Sequence, residues 1–510
     1  MKTQKTSQKI NGALTIVIVV AILAVINFLS YQIFSRVDLT ADKNYSLSGA
    51  SKKTVAKLDD LVTVKAYLSK NLPTKYLSLE QEIEDTLKEY QNYSGGKFKF
   101  RVINPASDAT TMEDLGGQGI PALQFNVVQN DSFQVVNGYL GLVAEYGGKT
   151  EVIPVIDSAG TLEYKLTLAI KKLTAQSMPV LGVVSGNGEL TEKEMATAFS
   201  SLREIYTIET IDLKTEGKIS DDISALLIPG PKEKFEEAQL KKIDSFVVSG
   251  KPAIFLVDGV AVDASTGAKR TLLGLDKIFN AWGVKLNDDL VADISNGRAS
   301  FSSSQNSRNF TYLMNYPLWP KILPENIDQK SAIVSSLQSL VLPWASSLTI
   351  TPMDELVVSK LLKTTDHAWN QVENYIIDPS SLNPPKSGKQ YVLAAILTGK
   401  IKSAFEQGET ANGKIAIVGD SDFATDMFSG GGSSDNLIFF QNLVDGLALD
   451  SDLISIRSKA ATDRPIKNLS AGAKETIRYA NIFALAVIIL TFGFLRYFWR
   501  RKAKKIKLED

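Results

Sequence analysis

The chain has 510 residues, of which 44% are hydrophobic, and its 56 Lys and Arg residues balance its 56 Asp and Glu residues. This length and composition allow about three folded units with sizeable cores, and the zero net charge argues against nucleic acid as a partner. Because the chain has no cysteine and a single histidine, His367, thiol catalysis, disulfides and thiolate metal sites are excluded, and we expect His367 to be an ordinary surface or packing residue.

Two uncharged apolar segments lie near the ends of the chain. Residues 13–34 are long enough to cross a hydrocarbon layer of ~30 Å, and Lys2, Lys5 and Lys9 precede them. The segment exceeds the apolar core of a cleaved signal peptide, so we predict a transmembrane helix that stays attached. A second transmembrane helix is predicted at 479–498, immediately before a basic tail.

The basic residues lie on the outer flank of each apolar segment. Because Lys and Arg concentrate on the cytoplasmic side of membrane helices, we predict that residues 1–12 and the tail 499–510 are cytoplasmic. Nearly all the rest of the chain would then lie outside the cytoplasmic (inner) membrane, in the periplasm or the extracellular space, with 461–478 as a juxtamembrane linker. The lipid bilayer is therefore a predicted partner.

Helix and strand patterns alternate over residues 35–175, which we predict to be the first domain outside the membrane. Ser48 is placed to cap a helix, residues 62–68 alternate as a strand, residues 78–93 carry a helical apolar stripe, and residues 98–104 alternate again. Further strands are predicted at 123–128, 139–146 and 152–156, and a closing helix at 162–173. The order predicts a thioredoxin-like α/β domain, but the absence of a Cys pair excludes a redox role.

A Gly-Gly-Lys-Thr sequence at 147–150 ends like a phosphate-binding loop. That motif needs a further glycine at position 143, where this chain has Val143, and a helix after it. We therefore predict a hairpin turn.

Continuous apolar runs characterise the second predicted domain, residues 176–460. Such runs are typical of strands buried on both faces of a parallel sheet. They lie at 180–184, 225–228, 253–257, 391–397 and 415–418. Helical stripes separate several of them, one after a capping box at Thr191–Glu194 and one over 236–248. The pattern predicts a doubly wound α/β sheet.

Three acidic residues follow predicted strands of this domain, where open α/β sheets bind ligands. Glu189 lies in the loop after the first strand, and Asp420 and Asp422 follow the last. Carboxylates at such a place could hold Mg²⁺, but they are also common loop-capping residues, and no phosphate-cradling loop accompanies them. They are candidate ligand-loop residues, and we predict no dedicated metal, cofactor or catalytic site.

A polar stretch at 298–309 precedes an aromatic and proline-rich stretch that ends at Pro320. An exposed loop of this composition could bind a peptide, a glycan or a partner protein. The alternative is a loop packed under the sheet.

Several short motifs resemble, in order, the GldG-type auxiliary components of ABC transporters, which are known from gliding motility. They are DLT at 38–40, NYSLS at 44–48, YSGGK at 93–97, SGNGE at 185–189, residues 228–259, WGVKLNDDLVAD at 282–293, VGDSDFATDMF at 418–428 and ISIR at 454–457. The resemblance covers most of the chain.

The resemblance implies a subunit outside the cytoplasm that works with an ABC-2-type permease and its ATPase as partners. It also implies a second domain similar in fold to class I glutamine amidotransferases, whose nucleophilic Cys this chain lacks. We therefore expect a non-enzymatic transporter accessory without a cofactor. Two alternatives remain: a metal-assisted hydrolase built on Glu189, Asp420 and Asp422, and a stand-alone glycan- or peptide-binding module that uses the 298–320 loop.

Overall fold

The computed structural model describes residues 46–457 with short gaps, residues 471–506, and positions 18, 19 and 22 near the N-terminus. The gaps lie at 71, 74–75, 106–108, 130–131, 176, 216, 264–266, 306–307, 430–433, 450–452 and 455. The chain divides into two compact units, residues 1–461 and residues 462–510. The first unit is a mixed α/β structure with two main sheets.

Among the residues that the structure describes, the first part of this unit contains four α-helices and six strands. In chain order they are α1 (Gly49–Ala56), β1 (Val62–Leu68), α2 (Leu77–Tyr93), β2 (Phe98–Ile103), α3 (Ala109–Gly117), β3 (Leu123–Gln129), β4 (Ser132–Gly138), β5 (Leu140–Tyr146), β6 (Lys149–Ile153) and α4 (Ala159–Thr174). The sequence did not predict α3 or β4.

A four-stranded sheet in the order β2-β1-β5-β6 forms the centre of this part. Strand β1 is parallel to β2 and antiparallel to β5. Strands β5 and β6 form a hairpin in which Tyr146 pairs with Lys149, and Gly147 and Gly148 between them have φ angles of 54° and 80°. The prediction of a hairpin turn at 147–150 is therefore confirmed.

Helices α1, α2 and α4 pack against one another and against the four-stranded sheet. As predicted, Ser48 caps α1, because its side chain accepts a hydrogen bond from the backbone N–H of Ser51. A polar network is buried between the three helices: the Tyr90 hydroxyl donates to the Glu163 carbonyl oxygen at 3.0 Å and lies 2.6 Å from Thr167 Oγ1. The network fixes the helices relative to one another, because each polar group needs its partner once water is excluded.

The second part of the unit alternates strands with α-helices. In chain order they are β7 (Val180–Ser185), α5 (Ala196–Arg203), β8 (Thr207–Asp212), β9 (Ile223–Pro229), α6 (Glu237–Val248), β10 (Ala253–Leu256), β11 (Val260–Asp263), β12 (Gly267–Arg270), α7 (Asp276–Ala281), β13 (Val284–Leu286), β14 (Leu290–Ala292), β15 (Asn296–Gln305), β16 (Arg308–Ile322), β17 (Leu340–Val341), β18 (Leu348–Ile350), β19 (Leu356–Lys363), β20 (Trp369–Gln371), β21 (Val392–Lys402), β22 (Thr410–Val418), α8 (Asp426–Ser429) and α9 (Ser434–Ala448).

A nine-stranded sheet carries this part, in the order β13-β18-β21-β22-β10-β9-β7-β8, with β19 also paired to β21. The five strands from β22 to β8 are parallel to one another. Strand β21 is antiparallel to β22, so the prediction of a parallel strand at 391–397 is wrong in direction. Its apolar run reflects burial on both faces, and burial does not depend on the direction of the strand.

Helices cover both faces of the nine-stranded sheet. Helices α5 and α9 share a core with one face, and helices α6 and α7 share a core with the other. The arrangement has the three layers expected of a doubly wound sheet, but its strands are mixed in direction.

Strands β13 and β18 form an antiparallel ribbon, the β13–β18 ribbon, which approaches the carboxyl ends of β10 and β22 very closely. A Cβ atom at Gly259, after β10, would lie 2.1 Å from the carbonyl oxygen of Asn287. A Cβ atom at Gly419, after β22, would lie 2.0 Å from the carbonyl oxygen of Ser346. Only glycine fits at these two positions, because the approaching atoms belong to the backbone.

The stretch 298–320, interpreted from the sequence as a loop that is either exposed or packed under the sheet, is instead a long antiparallel hairpin made by β15 and β16. Part of its aromatic content packs inward: Tyr316 is buried, and the Trp319 ring lies 5.7 Å from Trp344 and 5.0 Å from Phe428. The alternation of small polar and aromatic residues is that of a strand pair with one covered face, which composition alone did not reveal.

A buried charge cluster fastens Arg457 to α4 and α9. Arg457 donates hydrogen bonds to Asp445 on α9, to Asn442 at 3.0 Å, and to the hydroxyl of Tyr164 on α4. Tyr206 donates to the other oxygen of Asp445 at 2.8 Å. Because Tyr164 belongs to the first part and Asp445 to the second, Arg457 links the two parts of the unit.

The second unit contains one long helix, α10 (Ala471–Ile506), with exposed apolar side chains such as Val487, Leu490 and Trp499. In the part of the chain that the structure describes, no single helix has the length and apolar composition needed to cross a membrane. The segments Gly472–Ala484 and Val487–Trp499 satisfy both requirements only when taken together, and they are bent by 44° at their junction. The other predicted membrane segment, 13–34, lies outside the described residues except at 18, 19 and 22, which are helical.

Candidate functional site

Two neighbouring parallel strands bring a group of carboxyl side chains together at one edge of the nine-stranded sheet. Asp258 follows β10, and Asp420 and Asp422 follow β22. Because β10 and β22 are paired in parallel, their carboxyl ends lie side by side. The sequence predicted Asp420 and Asp422 as a pair but missed Asp258, although Asp258 directly follows the apolar run at 253–257.

Asp258 holds the loop after β22 in place. Its two carboxylate oxygens accept hydrogen bonds from the backbone N–H of Ser421 at 2.8 Å and from the Ser421 hydroxyl at 2.6 Å. Asp420 accepts a hydrogen bond from the backbone N–H of Asp422 at 2.8 Å, which closes the turn. Asp258 and Asp420 therefore have the loop-fixing role that short acidic side chains often have.

Burial raises the pKa of all three carboxyl groups, and neighbouring negative charge adds to the shift for Asp420 and Asp422. Burial raises the pKa of Asp420 well above its usual value, and the negative charges of Asp422 and Asp258 add to the effect. Burial, together with the charge of Asp258, raises the pKa of Asp422 to about 8, although Lys232 opposes the shift. Burial also raises the pKa of Asp258, against the hydrogen bonds from Ser421. Asp422 therefore retains its proton near neutral pH.

One oxygen of this group has no hydrogen-bond partner among the described residues. Asp420 is fully buried, and its Oδ2 atom is the unpartnered one. Burial without a partner for this oxygen disfavours the charged carboxylate, which is the physical cause of the raised pKa of Asp420.

The neighbouring loop packs onto the start of α5. Asp426 Oδ1 accepts a hydrogen bond from the backbone N–H of Thr197 at 2.8 Å, and the backbone N–H of Asp426 donates to the Glu194 carbonyl oxygen at 2.9 Å. Glu194 itself accepts from the backbone and hydroxyl of Thr191, but the predicted capping box is wrong, because α5 begins at Ala196 after Met195 and has no side-chain cap. The carboxyl side chains of Asp258, Asp420 and Asp422 are thus enclosed by structural contacts.

Glu189 interacts with a different set of residues from the three aspartates. Its carboxylate accepts a hydrogen bond from the backbone N–H of Asn187 at 2.7 Å, and the charges that act on it are those of Lys214 and Glu233. Within the described ranges, no group of three or more His, Cys, Asp or Glu side chains has an arrangement that could hold a metal ion. His367 is exposed and lies 3.4 Å from Asp366.

The comparisons with known proteins concern this second part of the chain above all. The family described as an ABC-type uncharacterized transport system matches residues 178–444. These residues include the whole nine-stranded sheet and the three aspartates Asp258, Asp420 and Asp422. The chain belongs to this ABC-type transport family. A domain family of unknown function matches residues 41–145, most of the part built on the four-stranded sheet.

A relative from Borreliella burgdorferi extends the similarity to the full length of this member of the ABC-type transport family. That protein, described as uncharacterized, is 28% identical over 521 aligned positions, which cover 98% of this chain and 99% of the relative. The similarity therefore includes the terminal segments as well as the two sheets.

Solved structures resemble this chain only weakly, with low TM-scores and low sequence identity. The mmIFT52 N-terminal domain is 16% identical with a TM-score of 0.34, and covers 52% of this chain and 97% of its own. The structure of PurLQS from Thermotoga maritima is 11% identical with a TM-score of 0.26, and covers 53% of this chain and 100% of its own. The thioredoxin-like and amidotransferase-like folds remain predictions.

Proposed function

We propose that this chain is a non-enzymatic auxiliary subunit of an ABC-2-type transporter of the gliding-motility-associated class. One observation carries the proposal: the family match over residues 178–444 coincides with a complete three-layer α/β unit. The chain has no Walker A sequence, so an ATPase subunit would supply the energy and a permease the pathway.

The proposed subunit is anchored in the cytoplasmic membrane, with both termini in the cytoplasm. Support comes from the exposed apolar side chains of α10 and from the basic residues at its end. Such a helix would be stabilised by lipid or by the helices of a permease, and the Lys and Arg residues after it favour the cytoplasmic side.

The partners can be tested by purifying the tagged full-length chain in mild detergent and identifying the proteins that accompany it. We expect a multi-span permease and a P-loop ATPase at near-stoichiometric levels. A matched variant, V487K/L490K, places two charges in the middle of α10, where they are costly in lipid, and should lose both partners. Recovery of the wild-type chain alone, under conditions that keep other membrane complexes intact, would contradict the proposal.

The topology can be tested by cysteine labelling, because the chain contains no cysteine of its own. Lys193→Cys introduces a thiol at an exposed position of the α/β unit, and Lys504→Cys introduces one in the basic tail. In intact cells, a maleimide that cannot cross membranes should label the first variant and not the second. The opposite pattern would overturn the proposed orientation.

The hydrolase alternative has less support from the side chains that it requires. Carboxyl groups that keep their protons near neutral pH are poor ligands for a divalent cation, because binding must first displace those protons. Glu189 interacts with a different set of residues from Asp420 and Asp422.

A further inference from the structure

A polar cleft of about 540 Å³ lies against the β13–β18 ribbon, and its lining residues do not include Asp258, Asp420 or Asp422. Strand β20 and the segment 389–392 form its other walls. Its volume is in the range that small-molecule sites usually have. Most of the side chains that line it are polar or charged, which is unusual for a site that would bind an apolar ligand.

The floor of the cleft is a connected hydrogen-bond network centred on Asp289, which is buried. Asp289 accepts hydrogen bonds from the backbone N–H and the hydroxyl of Ser347 and from the side-chain amide of Asn370, each at 2.7 Å. Both of its oxygens are therefore engaged, and its charge is compensated by three donors.

The network continues on either side of Asp289. The Tyr391 hydroxyl donates to the Asn370 side-chain oxygen at 2.8 Å, and the Asn287 amide donates to Ser347 Oγ and to Thr349 Oγ1, both at 2.9 Å. These contacts hold polar groups from four segments in fixed positions. A fixed floor reduces the entropy that a ligand must lose from the protein on binding.

The charge of the cleft is positive. Lys285, Lys360 and Lys389 line it, all three are exposed, and none of them makes an ion pair with a residue that the structure describes. The other acidic residue of the lining, Asp288, pairs with Arg270 at 2.6 Å. The lysine charges are therefore not neutralised from within the cleft.

We propose that this cleft binds a small polyvalent oxyanion that carries carboxylate or phosphate groups. The lysines supply the charge attraction and hydrogen-bond donors, and the Asn370 amide, which uses one N–H on Asp289, directs its second N–H to the anion. Binding at this cleft is independent of whether the chain works beside a transporter, because every residue involved belongs to one part of one unit.

The test is isothermal titration of the full-length protein in detergent with citrate and, separately, with inorganic pyrophosphate. We expect saturable 1:1 binding of at least one of the two anions. Stronger binding of citrate would assign the cleft to carboxylates, and stronger binding of pyrophosphate would assign it to phosphates. Absence of saturable binding by either anion would overturn the proposal.

Two variants locate the site. K285Q/K360Q/K389Q should weaken binding at least about tenfold, whereas the control K57Q/K193Q/K330Q, which removes three exposed lysines outside the cleft, should leave it unchanged. Equal weakening by both triple variants would mean non-specific charge attraction and would overturn the proposal.

Asn370→Ala removes the central amide of the floor without changing the charge. It should also weaken binding of the preferred anion. If it does not, while the lysine variant does, the hydrogen-bonded floor has no part in recognition and that element of the proposal is wrong. Thermal unfolding of each variant shows whether the fold is kept.

Discussion

Arg457 donates a hydrogen bond to Asp445 across 2.5 Å, and both side chains are buried at the junction between the two parts of the first unit. Burial raises the pKa of Asp445, but the Arg457 charge and the hydrogen bonds from Tyr206 and Arg457 oppose this shift. Each of the two buried charges therefore needs its partners in the cluster, because it loses its hydration on burial.

Replacing Arg457 by leucine should destabilise the protein by about 3–5 kcal/mol, since it leaves the Asp445 charge buried without its partner. The measurement is the free energy of unfolding in urea, followed by tryptophan fluorescence. A matched control is Arg203→Leu, which breaks an ion pair with Glu192 that is about half exposed and should have only a small effect. Equal effects of the two substitutions would contradict the assigned role of Arg457.

The aspartates that follow β10 and β22 should make the free energy of unfolding depend on pH. Asp422 has a raised pKa of about 8 in the folded state, so the folded protein binds more protons than the unfolded chain between about pH 4 and pH 8. Stability contributed by this group is therefore present at low pH and is lost as the pH rises through about 8. Asp422→Asn should flatten this dependence, as measured by urea midpoints between pH 5 and pH 9. The exposed carboxyl of Glu373 provides a control through Glu373→Gln, which should leave the slope unchanged.

Tyr90→Phe should cost about 1–2 kcal/mol, because it removes the hydroxyl that donates to the Glu163 carbonyl oxygen inside the helix cluster. Tyr93 lies nearly one turn later on the same helix and is 45% exposed. Tyr93→Phe should therefore change stability little. The two variants can be compared by thermal unfolding, and a larger loss for Tyr93→Phe would mean that the buried network does not hold the helices together.

Gly419→Ala should destabilise the protein by about 3 kcal/mol, because the added methyl group would overlap the Ser346 carbonyl oxygen and force the backbone apart. Gly116 is a suitable control, since a Cβ atom there would meet nothing within 4 Å and alanine is the better helix former. The measurement is the urea midpoint of each variant relative to the wild type. Equal midpoints for the two variants would mean that the backbone is not held closely at Gly419.

Local patterns were predicted well where one periodicity dominated. The strand at 62–68 has the predicted limits, and the helix predicted at 78–93 begins one residue earlier, at Leu77. In both segments the apolar side chains needed for the core follow a single regular spacing. The five apolar runs of the second part are all strands.

Sheet partners were harder to predict, because an apolar run records burial and not direction. Strand β21 is antiparallel for this reason, and the segment 298–320 is a hairpin although its composition is typical of a loop. Among the three aspartates, Asp420 and Asp422 could be predicted together because they lie in one loop. Asp258 is brought to them only by the pairing of β10 with β22. The lysines of the cleft are spread over 105 positions, from Lys285 to Lys389, and no local spacing connects them.

The close approach at Gly259 and Gly419 changes where this fold can receive a ligand. An open α/β sheet ordinarily offers a crevice above the carboxyl ends of its strands. Here the backbone at Asn287 and Ser346, next to the two strands of the β13–β18 ribbon, lies against the ends of two central strands at distances that leave no room for a side chain. These two backbone segments cover the crevice as a fixed part of the fold, and a cleft that the fold does offer lies beside the ribbon instead.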